Sequence, residues 1–165
     1  MKPAAPARMH LLPAREASFV IVVRRKPSKC FHIIRWNTRT DALEHGSWFH
    51  GKLYPMRCDV SFDGQWMVYL AMGATGDTWN GVCRPPYLTT VVEAPNTGTW
   101  FGGGCFADGY TLSLNNWRPE QKRSPFKLQP MVAEYGGEDL SVLYARWRRD
   151  DREPVVAAHL ATILD

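Results

Sequence analysis

The chain has 165 residues, 45% apolar and 22% charged, which suffices for one sizeable core and excludes wholesale disorder. Seven Trp, seven Phe and six Tyr favour strands over helices, while twelve Pro and thirteen Gly demand many turns. The net charge of +4 is uneven, because up to Arg35 there are eight basic residues against Glu16 alone. A basic head on a faintly acidic body suits an acidic partner surface or nucleic acid phosphates. No apolar run is long enough to span a bilayer, so no membrane is expected as a partner. Residues 1–15 lack the apolar stretch of a secretory signal, which makes a cytoplasmic location the expectation.

In chain order, residues 1–15 read as a flexible basic arm rich in Pro, Ala and Arg, and 16–165 as a single all-β domain. Ser18 to Arg25 is an apolar, β-branched run of strand length, followed by a turn at Lys26-Pro27-Ser28-Lys29. Phe31 to Thr38 and Ala42 to Phe49 complete an antiparallel meander. A second unit follows: Cys58 to Phe62, an Asp63-Gly64 turn, Trp66 to Met72, a loop over Gly73 to Asp77, then Trp79 to Arg84 and Leu88 to Ala94. The third unit runs from Gly104-Cys105-Phe106 through an Asp108-Gly109 turn to Tyr110–Leu114. Lys127 to Tyr135 and Leu140 to Arg148 are further strand candidates, and the tail from Pro154 to Asp165 leans towards helix.

One motif is used twice. Gly46-Ser47-Trp48-Phe49-His50-Gly51 recurs as Gly98-Thr99-Trp100-Phe101-Gly102-Gly103, and each copy precedes an Asp-Gly turn and an apolar run. Such a repeat implies stacked sheet units with Trp48 and Trp100 in equivalent places. The segment Ser61-Phe62-Asp63-Gly64-Gln65-Trp66-Met67-Val68-Tyr69 resembles the Ser-Pro-Asp-Gly turn of TolB-like and WD-repeat β-propeller blades, with Phe62 in place of Pro and no Trp-Asp dipeptide. The resemblance is strongest over residues 58–114 and implies antiparallel meander sheets arranged as about three to four propeller-like blades. A β-sandwich is the alternative. At roughly 45 residues per blade the chain holds three and a remainder, whereas closed propellers use about four to eight. Either the arm and tail make a small fourth blade, or a second chain covers the gap.

Few residues point to chemistry. Cys30, Cys58, Cys83 and Cys105 are widely spaced without a CxxC pair, so reduced, buried thiols are expected and no metal site. Gly102-Gly103-Gly104 precedes strand and turn residues instead of a helix, which suits close packing better than a phosphate loop. There is no Gly-x-Ser-x-Gly elbow, and His32, His45, His50 and His159 favour no Cys partner. Asp63 and Asp108 suit hydrogen bonding to their own turns. Basic and aromatic residues do gather, however, and Arg24, Arg25, Lys26, Arg35, Trp36 and Arg39 form the candidate binding set. The sequence therefore predicts no catalytic residues, no metal and no cofactor. It predicts a non-catalytic protein-interaction module or accessory subunit, binding another chain or itself. A nucleic-acid-binding accessory protein is the alternative. A hydrolase with a site assembled from distant loops is the third.

Overall fold

A computed structural model describes residues 6–26, 29–95, 98–114 and 124–130. The chain is all-β, and among the described residues its strands fall into three sheets. The first sheet is an antiparallel meander of β1 (Arg8–Pro13), β2 (Phe19–Lys26), β3 (Cys30–Asn37) and β4 (Leu43–His50), in that order. Part of the expected arm is thus a strand, since Arg8 to Pro13 pairs with Arg25 to Val20. The apolar triplet of Leu11, Leu12 and Pro13 supplies what a solvated arm would lack, and Leu11 and Leu12 are buried.

The middle sheet has the order β5 (Lys52–Leu53), β7 (Met67–Met72), β8 (Thr78–Cys83) and β9 (Thr90–Pro95). Strand β6 (Asp59–Val60) shares an edge of β7 with β5: Leu53 pairs with Ala71, and Asp59 with Val68. A 3-10 turn over Pro55–Arg57 links the two short strands. The third sheet holds β10 (Gly104–Phe106), β11 (Thr111–Leu114) and β12 (Lys127–Pro130). Here the expected antiparallel pattern is broken once, because β12 runs parallel to β11. The candidates at Leu140–Arg148 and in the tail lie outside the described residues, as does residue 131 onward of the Lys127 strand.

The sheets stack in chain order. Leu12, Ile21, Val23, Phe31 and Ile33 of the first sheet pack against Met67, Tyr69, Ala71 and Cys83 of the middle one. Val68, Val82 and Val92 on its other face pack against Phe106, Leu112 and Leu114 of the third. This explains why Met67–Met72 is apolar throughout instead of alternating: neighbours of both parities are buried. Strand β2 behaves alike, for Val20 and Val22 join Leu11, Ile34 and Trp36 in a separate buried cluster on its opposite face.

Both Asp-Gly turns form as expected. Asp63 Oδ1 accepts from the Gln65 amide at 3.0 Å, and Asp108 Oδ1 accepts from the Tyr110 and Thr111 amides at 2.7 Å each. The Tyr110 amide, then the Thr111 hydroxyl and amide, hold the Asp108 carboxyl below the usual carboxylate range. The two motif copies, by contrast, are not equivalent. The first lies on β4 and its exit, whereas Gly98–Phe101 is a single helical turn.

The glycine run closes the stack. A Cβ on Gly102 would collide with Leu70, and one on Gly104 would sit 2.8 Å from Leu114 and 2.9 Å from Val68. Between them, the Gly103 amide donates to Asn80 Oδ1 at 2.7 Å, and Asn80 Nδ2 donates back to the Gly103 carbonyl at 3.4 Å. Arg57 donates to the Gly102 carbonyl at 3.0 Å, and the Phe106 amide to Asp59 at 2.8 Å. These bonds fasten the middle sheet to the third.

Candidate functional site

Strand parity divides the six residues expected to bind. Side chains alternate across a sheet, so Arg24 and Lys26 share the outer face of the first sheet, while Arg25 and Arg35 share the inner one. Arg25 lies over the Phe31 ring at 5.8 Å and Arg35 over the Phe19 ring at 3.8 Å. Arg35 also approaches Glu44 at 4.0 Å. Trp36 corrects the expectation outright. It is 1% exposed, and its Nε1 donates to Asp41 at 3.2 Å, so its ring is core and not a binding platform. Arg39 sits in the β3–β4 turn, where its amide donates to Asn37 Oδ1 at 3.0 Å. That turn is roughly 23 Å of strand away from Lys26 at about 3.3 Å per residue.

What the structure does bring together is a stacked layer at the Lys26 end of the outer face. Trp48 pairs with His32 across β3 and β4, and their rings stack at 4.1 Å with 7° between planes. His32 stacks also with His45, at 5.2 Å and 17°. The Lys26 ammonium lies over Trp48 at 4.9 Å, and Arg24 pairs directly with His32. The layer depends on a shift in the ladder. Between His32 and Ile34 the β4 register slips, which places His45 and Trp48 on the same face three residues apart. Gly46 and Ser47 fill the slip. The Pro86 carbonyl accepts from the Ser47 amide at 3.0 Å, and the Leu88 amide donates to Ser47 Oγ at 3.0 Å.

His32 is 5% exposed, and neither ring nitrogen has a hydrogen-bond partner among the described residues. Burial, together with the neighbouring His45, Arg24 and Lys26, holds its pKa below the ordinary 6.5. At neutral pH it is an uncharged ring in the stack. Trp48 is 48% exposed beside it. Among the strand residues of the first sheet the sole carboxylate is Glu44, which pairs with Arg35 on the opposite face.

Beside this layer, where the chain passes from the first sheet to the middle one, lies a cavity of about 320 Å³. Lys29, His50 and Lys52 line it, with Gly51, Gly73 and Gly76 forming much of the remaining wall. The sequence reading passed over these residues and over His32, His45 and Trp48 as binding candidates. Alternation along β3 and β4 was the available signal for the stack, but the register slip hides it.

All four cysteines are buried and unbridged. Burial drives the Cys83 thiol far above its usual range, so it stays protonated. Burial likewise raises the Tyr69 phenol, whose oxygen shares a 2.6 Å hydrogen bond with Thr90. No group of three His, Cys, Asp or Glu side chains converges to hold a metal among the described residues. None of the described helices is long and apolar enough to cross a membrane. The chain matches no protein-family model, no curated protein and no solved structure.

Proposed function

We propose that this chain is a non-catalytic binding module, an accessory subunit that docks an acidic protein surface through the basic, aromatic end of its first sheet. One observation carries the reading: Arg24, Lys26 and half-exposed Trp48 share a face whose strands present no carboxylate. Arg and Trp together anchor protein interfaces when a cognate acid and an apolar pocket meet them. The stack also argues against a base-stacking platform. His32 already lies against the Trp48 ring and Lys26 over it, so a nucleobase would first have to displace them. Stacking of the three sheets in chain order supports propeller-like blades. Four unbridged cysteines support a reducing, cytoplasmic setting.

The test compares two defined probes of equal charge, an Asp/Glu-rich peptide carrying Leu and Phe and a single-stranded oligothymidylate. Fluorescence anisotropy at low and high salt measures both. The peptide binds more tightly, and Arg24→Ala with Trp48→Ala weakens it at least about tenfold. Tighter oligothymidylate binding with a steep salt slope would replace this reading with the nucleic-acid one. Binding of neither probe overturns both.

A further inference from the structure

We propose that the cavity at the junction of the first and middle sheets binds a small phosphate ester. This rests on the cavity itself and not on the docking reading above. Its charged lining is cationic, with Lys29 preceding β3 and Lys52 opening β5, and His50 at the end of β4 adds an imidazole. The neighbouring carboxylate, Asp77, lies outside that lining and accepts from Thr75 Oγ1 at 2.5 Å within its own loop. The glycine amides are already engaged. Gly51 donates to the Lys29 carbonyl at 3.1 Å, Gly73 to the Asp77 backbone carbonyl at 2.9 Å and Gly76 to the Gly73 carbonyl at 3.2 Å. Recognition of an anion therefore falls to the side chains of Lys29, Lys52 and His50.

Two lysines beside a histidine match a dianion better than a monoanion, and a phosphate monoester is mostly dianionic at neutral pH. Met72 and Ala74 add an apolar wall for the ester's organic part. The volume of about 320 Å³ lies at the small end of ligand sites, which excludes a large cofactor. At Gly51 a Cβ would lie 2.6 Å from the Met72 carbonyl, so the chain enters β5 pressed against the end of β7.

The experiment is thermal unfolding with inorganic phosphate and, separately, glycerol 3-phosphate from about 0.1 to 10 mM, with chloride holding ionic strength constant. The midpoint rises with each phosphate, by a constant increment per tenfold once the concentration exceeds Kd, the ester acting at lower concentration than the inorganic ion. Acetate at the same strength leaves it unmoved. The Lys29→Asn, Lys52→Gln variant needs at least about tenfold more of either phosphate. Asn is chosen because Lys29 has φ +54°, a conformation Asn tolerates. Arg24→Ala with Lys26→Ala, which removes the outer-face cations, keeps the full response and so separates this site from the docking surface. Equal shifts with acetate, no shift with either phosphate, or an unchanged response in the Lys29→Asn, Lys52→Gln protein would each overturn the proposal. Heteronuclear NMR spectra of each variant, matching the wild type away from the cavity, confirm that the fold is intact.

Discussion

The same short motif takes two shapes in this chain. Around Trp48 it is a strand, stitched to β3 on one side and to Pro86 on the other. Around Trp100 it is one helical turn, begun at Gly98 with φ +66°. The residues that matter most in each copy also differ. In the first, the leading glycine is where two segments touch, since a Cβ on Gly46 would collide with the Pro86 carbonyl. In the second, the leading glycine Gly98 has open space around it, and the tight place is the trailing Gly102. A hexapeptide carries too little hydrogen-bonding information to choose its own secondary structure, so its neighbours choose.

The sharpest way to break the comparison is Gly46→Ala. The obstacle is a carbonyl, which cannot rotate aside like a side-chain tip, and the expected loss is about 3 kcal/mol in urea unfolding. A loss below about 0.5 kcal/mol would show that the β4–Pro86 contact yields freely and that the two copies are alike after all. Next comes Asn80→Ala, which strips the buried clamp from Gly103 at the end of the second copy. Leaving that amide unsatisfied costs about 2 kcal/mol by the same measurement. Gly98→Ala is milder. Its cost is the positive φ alone, about 1 kcal/mol, and a larger loss would reveal packing that the open space denies.

The smallest effect separates the copies by pH. His32, stacked on Trp48 of the first copy, has its pKa held below 6.5 in the folded chain, so the unfolded chain takes up the proton first as pH falls. Its contribution is therefore complete above about pH 6.5 and declines below it, towards the lowered folded value. Urea midpoints measured from pH 7.5 downward should fall in that window. The slope should flatten in His32→Phe, which keeps a ring in the stack. An unchanged slope would mean that another group sets the acid sensitivity.

Much of this fold was legible. The β-branched run at β2, the Asp-Gly turns and the close-packed glycines each announced themselves through local chemistry that the structure retains. Arg24 and Lys26 could be assigned to one face, and Arg25 to the other, by counting in twos. Two things could not be read. Trp36 follows Arg35 in sequence and shares its strand, but only the burial of the outer-face cluster reveals that its ring is core. The pairing of Trp48 with His32 depends on a one-residue slip at Gly46 and Ser47, which is a property of two strands and a proline loop together. The fine arrangement of the site thus resides in long-range contacts, whereas the strands that carry it are local.

The parallel seam between β11 and β12 has a consequence for synthesis on the ribosome. The first sheet is built from consecutive hairpins, so each strand finds its partner as soon as both have emerged. The middle sheet needs cover on two sides, and its far side, Val68, Val82 and Val92, must wait for Phe106, Leu112, Leu114 and finally Phe126. At about 5–20 residues per second, translating the intervening stretch takes seconds. Through those seconds a nascent chain presents a valine-lined sheet to its neighbours or to a holding chaperone, and its yield depends on which binds first.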